Sequence, residues 1–123
     1  MNIVIPSRDR SERVFTLRYI PPELAPHTYV VVPPKQVRKY QRRNPNAQII
    51  ACPVEGHAGG FKQWNFDEFN DDDHLAIADD DLKFFHRTDL YNAPTLLNLN
   101  EMPPAESLRQ KQRLWRAIAR SLR

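Results

Sequence analysis

Thr28-Tyr29-Val30-Val31-Val32-Pro33-Pro34 decides the fold of this chain. Its β-branched residues run on without the apolar–polar alternation of a half-solvated strand, so the strand they form is buried on both faces. Pro33 and Pro34 close it, because proline offers no N–H to a sheet ladder. Pro34 also suits the first turn of a helix, expected to carry Val37 and Tyr40. Towards the N-terminus, Asn2 to Ile5 is another short apolar run, stopped by Pro6 and followed by the polar turn Ser7-Arg8-Asp9-Arg10. Between the two strands, Ser11 precedes Glu12 to Ile20, where Val14, Leu17 and Ile20 recur at helical spacing until Pro21 and Pro22; a first helix is predicted there. Towards the C-terminus, Gln48 to Cys52 reads as a third strand, Gly56-His57-Ala58-Gly59-Gly60 as a loop, Phe61 to Phe69 as a helix and Leu75 to Ala78 as a fourth strand. Arg87 to Pro104 reads as irregular connection.

Continuous apolar strands separated by helices define the class: α/β, with an open, mainly parallel sheet and helices on both faces. A chain of 123 residues has room for one such domain. Ligands of open α/β sheets bind beyond the carboxyl ends of the strands. That rule selects Pro6 to Arg10, Pro33 to Lys35, Pro53 to Gly60, and Asp79 to Asp81.

Several function classes fall away. The apolar runs are too short to span a bilayer, and MNIVIPSRDR lacks the apolar core of a secretory leader, so a cytoplasmic location is expected. A single cysteine, Cys52, forms no internal disulfide and is expected to be a buried, inert thiol. The glycine loop has neither the lysine-threonine ending of a P-loop nor the spacing of a dinucleotide fingerprint. His74 and His86 lack metal-ligand spacing, and there is no cysteine pair for zinc.

Asp79-Asp80-Asp81 directly follows the fourth strand. Three adjacent carboxylates repel one another increasingly as water is excluded, so a positive partner is expected. Mg²⁺ or Mn²⁺ suits hard oxygen ligands and shares its remaining positions with water and phosphate. Alternation along an extended chain puts Asp79 and Asp81 on one side and Asp80 on the other. Asp71-Asp72-Asp73 is equally acidic but precedes the strand, at the opposite edge of the sheet, and is read as a solvated loop.

In order and spacing, MNIVIPSRDRSERV, YVVVPPKQVRKY, a glycine loop with FKQWNF, and HLAIADDDLKFFHR resemble the N-terminal half of phage-encoded GT-A glycosyltransferases, including those associated with hypermodification of phage DNA bases. The likeness covers roughly Met1 to Arg87. It implies a Rossmann-like, nucleotide-sugar-binding domain over 1–104, a hexosyltransferase-like activity, and host cytoplasm as the location of a phage-encoded protein. It implies that the acids serve as a DxD motif, with Asp79 at the ribose or base side, Asp81 on a metal bridging the diphosphate, and Asp80 between them. Asp79 is thus a candidate for both nucleotide and metal. The first loop, Pro6, Ser7 and Arg8, would hold the nucleotide. Lys62 stands where the family often has arginine before a Gln-Trp pair, here Gln63-Trp64, and is a candidate for phosphate; Arg87 matches an arginine shortly after the acids, where it either meets phosphate or pairs with them. GT-A enzymes usually keep a general base and the acceptor pocket in a following half. The resemblance names no catalytic base here, and it leaves open a module that binds without transferring, or a partner chain that completes the site.

Residues 105–123 read as a separate basic amphipathic helix. At about 100° per residue, Leu108, Trp115, Ile118, Ala119 and Leu122 share one side, and Arg109, Arg113, Arg116, Arg120 and Arg123 share a narrow opposing arc. With Lys111 this segment carries six positive charges, so the formal net charge of +3 becomes −3 without it. The arginine stripe is either a solvated face or a contact for a polyanion such as a DNA acceptor. A small basic nucleic-acid-binding protein remains the alternative from another class.

Overall fold

The computed structural model describes residues 1–53, 75–87 and 96–121, with 86, 87 and 96 by backbone alone. Its centre is a four-stranded sheet of β1 (Asn2–Pro6), β2 (Thr28–Val32), β3 (Gln48–Ala51) and β4 (Leu75–Ile77), in the order β3-β2-β1-β4. Every neighbouring pair is parallel, with Ile5 opposite Val30, Val31 opposite Ile50 and Ile3 opposite Ala76. The expected open parallel α/β sheet is what forms.

Parallel neighbours need crossover connections. Between β2 and β3 the crossover is a short 3₁₀ turn at Pro34–Gln36 leading into α1 (Val37–Arg43). Between β1 and β2 the predicted helix is absent. Two 3₁₀ turns, Phe15–Tyr19 and Pro22–His27, stand in its place. The second contains Pro22 and Pro26, which withhold N–H groups that an α-helix would need, and Pro21 and Pro22 stop the first from running on. The bonds that do form are the tighter kind, Leu17 N–H to Val14 O (3.2 Å) and Ile20 N–H to Leu17 O (3.3 Å).

Alternation along the strands separates two apolar layers. Ile3, Ile5, Val30 and Val32 face a core that includes Val14, Tyr40 and Trp115, so both described α-helices pack on this side. Val4 and Val31 face the other way with Cys52, and all three are buried. The cysteine is thus as deeply placed as its apolar run suggested.

The stretch expected to be irregular after Arg87 contains structure. Strand β5 (Phe85–Arg87) pairs antiparallel with β6 (Leu96–Asn98), and a 3₁₀ turn at Leu99–Glu101 follows. Three-residue strands such as Phe-His-Arg carry too few residues to display a period, which is why the sequence hid them. Phe84 leads into β5 and ties it to the core through edge contacts with Tyr19 and Trp115, at centroid distances of 5.2 and 6.2 Å.

The chain then forms α2 (Pro104–Ser121). Trp115 is its anchor, 2% exposed, with its indole N–H donating to Tyr19 O at 2.8 Å. That bond sets the rotation of the helix. Leu114 and Ile118 pack inward beside Trp115, whereas Leu108, expected on the apolar side, is 39% exposed. Lys111 turns towards the buried side instead, where loss of solvent holds its ammonium pKa below the usual lysine value. Arg109, Arg113, Arg116 and Arg120 are exposed as the helical arc required. Leu122 and Arg123 lie outside the described residues, as do Lys62 and the predicted helix around it. Among the described residues, no helix is long and apolar enough to cross a membrane.

Candidate functional site

The chain moves outward from β1 to β2 to β3, then returns to place β4 on the free side of β1. This reversal makes the carboxyl ends of β1 and β4 a topological switch point, the place where open α/β sheets hold their ligands. The loop after β1 is Ser7 to Arg10, and the turn after β4 is Asp79 to Asp81.

Ala78 extends the pairing of β4 through its N–H to Val4 O (2.9 Å), so alternation continues into the acids. Ala76, Ala78 and Asp80 lie on the core side, while Asp79 and Asp81 are exposed. The side chain of Asp80 is only 8% exposed and its two oxygens are engaged separately. Ser7 Oγ donates to Oδ2 at 2.6 Å, and Arg10 Nη1 donates to Oδ1 at 3.0 Å. Arg10 Nη1 also stands 3.7 Å from Asp81 Oδ2, a looser approach.

Tyr40, from α1, completes the arrangement. Its hydroxyl lies 2.6 Å from Ser7 Oγ and accepts from the Arg10 backbone N–H at 3.0 Å. Because Ser7 spends its one proton on Asp80, Tyr40 must donate to Ser7. A closed ring results: Arg10 N–H to Tyr40, Tyr40 to Ser7, Ser7 to Asp80, and Asp80 back to the Arg10 guanidinium. Chains of hydrogen bonds in a poorly solvated place polarise and strengthen one another.

The acidic turn is also strapped from the opposite side by Thr16, which is fully buried. Its hydroxyl donates to Asp79 O and accepts from Leu82 N–H at 3.1 Å, while its own N–H donates to Asp80 O at 3.2 Å. The first loop is held in turn by a reciprocal pair, Asp9 N–H to Gln36 Oε1 and Gln36 Nε2 to Asp9 Oδ1, both 2.8 Å. Asp9 adopts φ 55°, a left-handed conformation that aspartate tolerates better than most residues.

Of the residues singled out from the sequence, the structure brings Ser7 and Asp80 into direct contact and sets Pro6, half-buried, and Arg8, exposed, in the same loop. Asp79 and Asp81 offer exposed carboxylates at the rim. Lys62 lies outside the described residues, and Arg87 is described only as backbone in β5. Arg10, Tyr40 and Thr16 were not singled out, although Arg10 falls within a strand-end loop. The positive charge expected beside the triplet is supplied in part by Arg10.

Among the described residues, no three His, Cys, Asp or Glu side chains converge as a cage for a metal. Of the triplet, Asp80 has both carboxylate oxygens engaged within the protein, whereas Asp79 and Asp81 keep exposed carboxylates, the residues of the turn that a hard cation would meet first.

A protein-family model described as TAGT, TET-Associated Glycosyltransferase, matches residues 1–108. The matched span contains all four parallel strands and both loops of the crevice. No curated protein and no solved structure matches the chain.

Proposed function

The chain belongs to the TET-associated glycosyltransferase family, and from that premise we propose that the β1–β4 crevice binds a nucleoside-diphosphate sugar in a GT-A-like, metal-dependent transfer reaction. The observation that supports this reading best is the bonding of the first strand-end loop to the acidic turn at the switch point, through Ser7, Arg10 and Asp80. Two segments on which a nucleotide could rest are thereby held in one geometry before any ligand arrives.

In this reading Pro6, Ser7 and Arg8 form the floor and edge of the nucleotide site. Asp79 faces the ribose side and Asp81 takes the cation, while Asp80 acts from within by fixing the turn. Bound Mn²⁺ or Mg²⁺ would supply Lewis-acid stabilisation to the departing diphosphate. Lys62 and Arg87 are candidates to add positive charge against the phosphates. The acceptor hydroxyl attacks the sugar's anomeric carbon, and its proton passes to a general base. A partner chain that completes the acceptor side belongs to the proposal.

For the acceptor we propose DNA carrying modified bases, as in phage DNA, with the enzyme acting in the host cytoplasm. An open groove of about 920 Å³ favours a polyanion, since Arg109, Arg113, Arg116 and Arg120 line it together with Phe84, Phe85 and Leu99. Among the described residues only Arg109 of these four has an acidic partner, Glu106.

Calorimetry with a panel of nucleoside diphosphates, with and without Mn²⁺, tests the central reading. Affinity should depend on the cation and fall at least about tenfold, or ~1.4 kcal/mol, in Asp81→Ala. Absence of binding to every nucleotide, or binding indifferent to both the cation and Asp81, would overturn it.

A further inference from the structure

Arg10 combines two properties that seldom coincide. Its Nη1 is fastened to a buried carboxylate, Asp80, at 3.0 Å, yet the side chain as a whole is 52% exposed at the mouth of the crevice. A guanidinium carries five N–H donors in a planar fork, and only Nη1 meets a protein partner among the described residues. The backbone of the same residue is fixed too, through its N–H to Tyr40. Arg10 is therefore anchored at both ends, and among the described residues much of its donor capacity is unspent.

The two carboxylate contacts differ in kind. The approach to Asp80 is a charge-assisted hydrogen bond inside the ring, whereas that to Asp81, at 3.7 Å, is too long to be one. A new anion can therefore replace Asp81 beside Arg10 without breaking the anchor on Asp80. A planar guanidinium held this way suits bidentate contact with phosphate oxygens better than a mobile lysine would. Its rotamer freedom is already restricted, so less entropy is lost when a ligand binds.

We infer that Arg10 is a phosphate-binding residue of this chain, with the diphosphate group of a nucleotide as its ligand, and that Tyr40 is a positioning residue that acts through it. The inference rests on the crevice being the nucleotide site. It assigns the diphosphate a contact that needs no metal. Asp80 belongs to the same device: it holds the arginine in place.

The full-length chain is titrated with inorganic pyrophosphate and with a nucleoside diphosphate, each in EDTA and in Mn²⁺, for wild type, Arg10→Gln, Arg10→Lys and Tyr40→Phe. Circular dichroism and a urea melt accompany each variant. Wild type should bind pyrophosphate weakly in EDTA, and Arg10→Gln should weaken pyrophosphate binding about tenfold or more. Arg10→Lys should restore part of the loss, because it keeps the charge without the fork. Tyr40→Phe should lose several-fold in affinity while fully folded at the titration temperature. If Arg10→Gln leaves Asp80 uncompensated and fails to fold, Arg10→Gln/Asp80→Asn removes both charges and should show the same loss. Equal affinities of wild type and the Arg10 variants for both ligands, with Mn²⁺-dependent nucleotide binding intact, would overturn this inference and spare the proposed function. Failure of the wild type to bind either ligand in any condition overturns both.

Discussion

Thr16 shows how much of this crevice depends on single polar groups remote in sequence. Its hydroxyl reaches across 63 residues to Asp79 and simultaneously accepts from Leu82 N–H, all in a fully buried position. Replacing it with valine preserves the branched shape but takes the partner from a part-buried backbone donor, Leu82 N–H, and from the Asp79 carbonyl. Thr16→Val should therefore cost about 1–3 kcal/mol, read as a lower urea midpoint with an unchanged slope, while Thr16→Ser loses less. A midpoint equal to wild type would show that the strap contributes nothing. Ser7 was legible in the sequence because it directly follows β1, and Asp80 as the middle of the acidic triplet after β4, though not as the acid that bonds Ser7 and Arg10. Thr16, Arg10 and Tyr40 were harder to see, because their roles come from partners brought close only by β1, α1 and β4 folding together.

At the scale of the element, α2 illustrates what periodicity can and cannot specify. The opposition of an apolar side to an arginine arc follows from 3.6 residues per turn and was readable. The rotation was not, because it depends on one indole N–H finding Tyr19 O. Leu108 is consequently displaced towards solvent and Lys111 towards the interior, beside Pro21, Met102 and Ser107. The lysine's ammonium is penalised there, so its folded pKa lies below the ordinary 10.5. Protonation then opposes folding: the penalty is fully present below the folded pKa and is relieved as pH rises towards and past the unfolded value. Lys111→Met should raise the melting temperature at neutral pH, and the gain should shrink as pH approaches 10.5. A gain that is absent, or that grows with alkalinity, would contradict this account of the helix. The same limit on local reading applies to the segment before β2, where apolar spacing suggested a helix and two 3₁₀ turns formed, the second of them rich in proline.

For the molecule as a whole, two charged features stand apart. Asp79, Asp80 and Asp81 follow β4, and the exposed arginines of α2 line the groove that also contains Phe85, which is 49% exposed. If DNA occupies that groove, its affinity must fall with salt through counterion release, with a log–log slope of about −0.9 per phosphate neutralised on a duplex. Replacing Arg113, Arg116 and Arg120 with glutamine should flatten that slope by about two to three, as measured by fluorescence anisotropy against added salt. Binding that is insensitive to salt, or a slope unaltered by the three substitutions, would exclude the groove as the acceptor surface. The four parallel strands, unlike β5 and β6, were evident in the sequence from their short apolar runs, those of β1, β2 and β3 closed by proline. Their order was not, because neighbours in a parallel sheet are chosen by crossover geometry rather than by any local pattern.

Strand β4 has three residues and stands at one end of the described sheet, paired to β1 through Asn2, Ile3 and Val4. Among the described residues the strand that carries the carboxylates has β1 as its one sheet neighbour, so a ligand bridging them to the neighbouring loop would also staple that strand down. If a nucleotide binds there, occupancy and edge fraying oppose one another, and proton exchange at the Ala78 amide, which bonds Val4 O, should slow as the site fills.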